Sequence, residues 1–119
     1  MEETKRNWGY YNVISKTKIM YLGPNKSTSF HLHKHKTEYW QILEGKGDVY
    51  IGGNLFAARK GDSFTVHINE PHQLIAGPMG MAVLEVATGS NVLEEDKVLP
   101  SLEDWRKHEG CLFKVWKDN

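Results

Sequence analysis

Apolar and polar residues alternate along most of this chain in short runs, and Gly, Pro or Asn closes nearly every run, a pattern that predicts strands. Trp8 to Ile14 and Thr17 to Leu22 are rich in aromatic and β-branched residues and read as two short strands before a turn at Gly23-Pro24-Asn25. Ser27 to His35 gives a third, with Phe30 and Leu32 on one face and His31, His33 and His35 on the other. Further strands are expected at Asp48 to Ile51, Leu55 to Ala58, Ser63 to His67 and Met81 to Thr88, the last being the clearest buried one. Gly45-Lys46-Gly47, Gly52-Gly53-Asn54 and Lys60-Gly61-Asp62 read as turns, and Gly77-Pro78 breaks the short apolar stretch from Gln73 to Ala76. Turn signals roughly every eight to twelve residues argue for an all-β sandwich or barrel.

The pattern weakens at both ends. Residues 1–7 are charged and are expected to fray, leaving residues 8–119 as the folded domain. A short C-terminal helix is expected from Ser101 as N-cap, with Asp104 in the capping-box position and Gly110 after a charged run. Leu112 to Trp116 is apolar enough to need a partner, either the barrel wall or another subunit.

One stretch, Ser29 to Gly45, has a parity problem that carries chemistry. His31, His33 and His35 can converge on one point, which is what a metal requires of neutral imidazoles. Glu38 has the opposite parity, so a continuous strand would turn it away from them. A corner or bulge is therefore expected within Lys34 to Thr37, after which Glu38, Trp40 and Ile42 share one face and Tyr39, Gln41 and Leu43 the other.

Composition narrows the function classes. A chain of 119 residues has room for one core. Fifteen basic and fifteen acidic residues cancel, so no general field draws it to nucleic acid or to an anionic membrane surface. Cys111 is the only cysteine, no apolar run approaches membrane-spanning length, and the N-terminus lacks the form of a signal peptide. A cytoplasmic protein is expected.

The spacing H-x-H-x4-E-x6-G, filled by His31, His33, Glu38 and Gly45, resembles the first signature of the cupin superfamily. Gly61-x5-His67-x-Asn69-x2-His72 resembles the second, with His67 where proline is usual and Asn69 where glycine is usual. The resemblance implies a single double-stranded β-helix, or jelly-roll barrel. It also implies one divalent metal ion (Mn, Zn, Ni, Co or Fe) held by His31, His33, Glu38 and His72. Within the superfamily the chain is most similar to the C-terminal cupin of type II mannose-6-phosphate isomerases, often fused to a mannose-1-phosphate guanylyltransferase. Arg6-Asn7-Trp8-Gly9 resembles that family's R-P-W-G opening, SFHLHKHKTEYW its S-L-Q-x-H-H-H-R-x-E-H-W block, and Leu84 to Gly89 its E-V-Q-x-G strand. Leu99 replaces the arginine of its G-E-D-D-I-V-R run. The nucleotidyltransferase domain has no counterpart in these residues, and no guanylyltransferase activity is expected.

The same alignment sets His31 against a glutamine and His35 against a histidine, so the ligand paired with His33 is either His31, which spacing favours, or His35. On its own HLHKHK suits a solvated strand edge as well as a metal site; Glu38 and His72 at matching spacings favour the metal. The resemblance implies a sugar-phosphate isomerase, with Glu85, His67 or Glu44 as general base and His35, Lys34, Lys36 or Arg59 on the phosphate. A cupin dioxygenase using the same ligands, or a non-catalytic sugar-phosphate binder, are the alternatives. His108 and the four tryptophans have structural readings, and a homodimer is expected.

Overall fold

The structure is a computed structural model that describes residues 2–14, 17–89 and 97–98. The described chain is all strand: β1 (Glu2–Arg6), β2 (Gly9–Ile14), β3 (Thr17–Leu22), β4 (His31–Leu32), β5 (Lys36–Ile51), β6 (Asn54–Arg59), β7 (Ser63–Val66), β8 (His72–Gly89) and β9 (Lys97–Val98). Every pairing is antiparallel. The expected C-terminal helix, His108 and the apolar stretch Leu112 to Trp116 lie outside the described residues. Among the described residues no helix is long and apolar enough to cross a membrane.

Two strands organise the rest. The first half of β5 pairs with the second half of β8 (Lys36 opposite Gly89, Ile42 opposite Val83), with β7 on its other edge and β3, β2 and β1 beyond β8. The second half of β5 pairs with the first half of β8 (Gly47 opposite Ala76, Ile51 opposite His72), flanked by β6 on one side and by β4 and β9 on the other. The result is two sheets sharing both long strands, the jelly-roll arrangement expected from the sequence. Met20, Ile42 and Val83 from one half and Val49, Leu74 and Ala76 from the other meet in a single core. Ile42, Val49 and Val83 are fully shielded from water, and burying each such side chain is worth roughly 1.5–3 kcal/mol.

The bend that carries β5 and β8 from one sheet to the other falls where the sequence suggested two breaks. Gly45-Lys46-Gly47 is not a hairpin turn. It is a stretch of shifted register inside β5, facing four unpaired residues of β8, Gly77 to Gly80. Gly45 has φ +77, and a Cβ there would run into the Gly80 carbonyl. Pro78 lies in the unpaired stretch, where its missing N–H removes no ladder bond. The irregularity also switches parity: the inward residues are Glu38, Trp40 and Ile42 before it in β5, but Val49 and Ile51 after it. In β8, His72, Leu74 and Ala76 face inward before it, and Val83, Glu85 and Ala87 after it. His72 and Glu85 can both look into the barrel for that reason.

The other expected turns hold. Gly52 and Gly53 form the β5–β6 turn with φ +58 and +96, and Gly61 takes φ +96 between β6 and β7. Residues 2–6, within the stretch expected to fray, form β1, an edge strand in register with β2.

Candidate metal centre

The bend expected between Lys34 and Thr37 lies at Lys34–His35. It resolves the parity problem as anticipated: His33 before it and Lys36, Glu38 and Trp40 after it are all buried. His31 and His72 are opposite each other in the β4–β8 register. Ligand-capable atoms of His31, His33 and His72 all lie within 4.8 Å of one another. Ring centroids are 4.3 Å apart for His31–His72 and 4.9 Å for His33–His72. Glu38 completes the group, with Oε2 at 2.8 Å from His33 Nε2 and Oε1 at 3.6 Å from His72 Nε2. Of the two alternatives for the partner of His33, the structure brings in His31; His35 is exposed.

Tautomers follow from the acceptors. His72 Nδ1 is 2.8 Å from the Glu70 carbonyl and His31 Nδ1 is 2.7 Å from the Ser29 carbonyl. A carbonyl only accepts, so each Nδ1 carries the proton and each Nε2 keeps its lone pair. His72 Nε2 is fully buried and has no hydrogen-bond partner among the described residues. Three imidazoles and a carboxylate, with a buried lone pair left over, fit a divalent cation of the Mn-to-Zn series.

The turn before His72 explains both departures from the second cupin signature. His67 N donates to Glu70 Oε1 at 2.7 Å, a bond that proline could not make. Asn69 has φ +64, which asparagine tolerates better than other non-glycine residues. Its N–H donates to the His33 carbonyl at 2.8 Å, so the turn is tied to the strand carrying the ligands.

Electrostatics set the protonation states of the metal-free group. Burial, then repulsion from His31, lowers His72 to about 4, against which Glu38 and the Glu70 carbonyl act in part. Burial raises Glu38, but the hydrogen bond from His33 and the charges of His72, His33 and Lys36 together outweigh it and hold the carboxylate ionised. Glu85 goes the other way: burial first, then the Glu38 charge, push it up to about 7, with Lys18 opposing.

Several site residues were not legible as such. Lys36, expected on the phosphate, is 7% exposed and points inward, with Nζ at 3.7 Å from Glu38 Oε2. Trp40, read as a core anchor, does fill the core, but its indole N–H also spans two acids, 3.2 Å from Glu38 Oε1 and 3.3 Å from Glu85 Oε1. Lys18, not singled out at all, reaches Glu85 Oε2 at 3.4 Å. The other expected residues lie elsewhere: His67 and Lys34 are exposed, Glu44 is exposed and pairs with Lys60, and Arg59 lines a separate pocket with Lys46 and Asp62 that none of the four candidate ligands lines.

The family described as Mannose-6-phosphate isomerase C-terminal matches residues 1–104. The chain belongs to this family. A mannose-1-phosphate guanylyltransferase from Klebsiella pneumoniae is 31% identical over 100 residues, which is 79% of this chain and 21% of that protein. The chain thus spans about a fifth of the length of the curated relatives it matches. In fold, this family member is similar to an RmlC-like cupin from Shewanella frigidimarina (TM-score 0.67, 18% identity, 75% of this chain and 84% of that one). It is also similar to the capsular polysaccharide assembling protein CapF from Staphylococcus aureus (TM-score 0.70, 13% identity, 82% of this chain and 32% of that one). It is a cupin.

Proposed function

We propose that this cupin is a metal-dependent aldose–ketose isomerase acting on a sugar phosphate of the mannose-6-phosphate type. The observation that carries the reading is the placement of Glu85, an acid of raised pKa, one indole away from Glu38 in the group it forms with His31, His33 and His72. A divalent metal held by those four side chains would supply Lewis-acid stabilisation of negative charge on the substrate oxygens.

The remaining work falls to the chain's own residues. Interconversion of a 2-hydroxy aldehyde and its ketose moves one proton between adjacent carbons and one between the two oxygens, with no oxidant or reductant. The general base must be inside the barrel, within hydrogen-bond reach of those carbons. Glu85 meets that condition better than His67 and Glu44, which are exposed. Ionised, Glu85 takes the proton from C2 and returns it to C1; burial and the Glu38 charge make it a stronger base than an exposed carboxylate. Lys36, beside Glu38, adds a positive charge where charge develops on the substrate oxygens.

The test loads the protein in turn with Mn, Zn, Ni, Co and Fe(II), offers mannose-6-phosphate and fructose-6-phosphate in deuterated water, and follows the sugars by NMR. Turnover with deuterium entering at the exchanged carbon is expected, lost in His72→Ala together with the metal and lost in Glu85→Gln with the metal retained. No turnover with any metal overturns the substrate assignment. Oxygen consumption with Fe(II) would move the chain to the dioxygenases. Light scattering tests the homodimer expected from the sequence; a monomer mass removes it.

A further inference from the structure

The sheet built from β1, β2, β3, the second half of β8, the first half of β5 and β7 keeps its charges on the inside. Met20, Trp40, Ile42 and Val83 point into the core, and Tyr11 and Phe64 pack against it, so the residues alternating with them point outward. These are residues 10 and 12 of β2, 63 and 65 of β7, and every second residue of 17–21 in β3, 82–88 in β8 and 37–41 in β5. None of them is Asp, Glu, Lys, Arg or His, in a chain that is 25% charged. The inner face of the same sheet carries Lys18, Lys36, Glu38 and Glu85. An antiparallel sheet with one face in water shows the reverse, apolar within and polar without.

An apolar band crosses the uncharged face. Tyr10 and Tyr21 stack with ring centroids 4.7 Å apart, Ile19 stands opposite Leu84, and Val86 stands opposite Tyr39, which is 42% exposed. Among the described residues charge returns at the rim: Glu3 and Lys5 on the outward side of β1, opposite Asn12 and Tyr10, and Glu44 with Lys60 at the far end of the face. An uncharged aromatic centre inside a charged rim is the anatomy of a protein interface. In plan, the five strands from β2 to β7 cover about 24 Å by about 17 Å, roughly 400 Å² before the relief of the side chains is counted. A stable interface buries about 800 Å² per partner, so its partner must cover the whole face together with the β1 rim.

We propose that this face is a dimer interface and that its occupant is a second copy of the chain, packed sheet against sheet about a two-fold axis. Two features select a copy over another partner. A face without charge meets itself without repulsion. The rim carries both signs on one strand, and a two-fold sets Glu3 against the partner's Lys5 and, by the same operation, Lys5 against the partner's Glu3. Contact over the whole face also requires the strands of the two sheets to run within about 30° of each other. The interface lies on the opposite side of the sheet from Glu38, Trp40 and Glu85, so it leaves the interior group untouched.

The deciding experiment is sedimentation equilibrium of the full chain over a range of concentrations, with mass compared to the 13.7 kDa of one chain. Twice that mass is expected. Tyr39→Glu and Val86→Glu each bring like charges into the apolar band from both protomers and should raise the dimer Kd by about a hundredfold or more. Leu55→Glu and Met79→Glu, at exposed apolar residues off this face, should leave it within about twofold of the parent. Circular dichroism checks that each variant folds, and the exposure of Tyr39 keeps the test open should Val86→Glu misfold. Glu3→Lys and Lys5→Glu should each weaken the dimer by about tenfold at low salt, since symmetry repeats each change, and the double variant should recover the parent Kd. A merely structural effect at either position would not be recovered. A monomer at every concentration up to about 1 mM overturns the assignment. A dimer indifferent to Tyr39→Glu and Val86→Glu, equal weakening by Leu55→Glu, or a double variant no tighter than the single ones overturns it as well. Metal and substrate play no part in these measurements, so their outcome is independent of the isomerase assay.

Discussion

Glu85 and His72 both look into the barrel from β8, but their surroundings shift them in opposite directions, and that opposition has a measurable signature. In the metal-free protein His72 titrates near 4 instead of 6.5, so between those values the unfolded chain binds more protons and stability rises with pH. Glu85 titrates near 7 instead of 4.5, so across that window the folded chain binds more protons and stability falls with pH. The two slopes offset each other between about pH 4.5 and 6.5. Glu85→Gln removes the falling one. Melting of the chelator-treated variant should therefore show stability climbing with pH where the parent is nearly flat, and its advantage over the parent should grow toward pH 7. A variant that tracks the parent at every pH would show that Glu85 is not held neutral by its surroundings. Trp40 can be tested beside it. Trp40→Phe keeps an aromatic ring in the core but removes the N–H that orients both acids, and metal affinity should fall by about 10–100-fold in competition with a chromophoric chelator. Of these residues, the histidines and Glu38 could be read from the chain because they lie close together and parity governs which way they point. The contacts of Lys18, Glu85 and Trp40 depend on register between strands far apart in sequence, which local periodicity does not encode.

Strands and turns were legible where a turn is a local event, as at Gly52-Gly53-Asn54 and Lys60-Gly61-Asp62. They were misread at Gly45-Lys46-Gly47 and Gly77-Pro78, where glycine and proline mark a bend within paired strands and the chain runs on. A hairpin turn and a bulge use the same residues for the same left-handed backbone, and only the partner strand distinguishes them. Two alanine substitutions separate the roles. Gly45→Ala forces a side chain into the Gly80 carbonyl at φ +77 and should lower stability by more than about 2 kcal/mol in urea denaturation. Gly61→Ala, with φ +96 but nothing within 4 Å of a Cβ, should lose only about 1 kcal/mol. Equal losses at the two positions would mean that the close approach of β5 to β8 contributes nothing.

At the level of the whole molecule, the centre draws on β4, β5 and β8, so an ion bound there joins elements from both sheets. Metal that binds only the folded chain should stabilise it by about 2.7 kcal/mol at one hundred times Kd, a rise in Tm of about 10 °C for a domain of this size. Chelator should reverse the rise and His72→Ala should abolish it. The continuity of β5 and β8 through both sheets has a further consequence. Neither sheet can open while the other stays closed, because each long strand would have to be paired along one half and frayed along the other, with the glycine bend as the only joint. Amide hydrogens of Glu38, Trp40, Val49 and Leu74 should therefore exchange with solvent in one cooperative event at the global unfolding free energy. Among the described strands, opening of one half alone is therefore disfavoured, and passage through an end of the barrel is the expected route for a ligand.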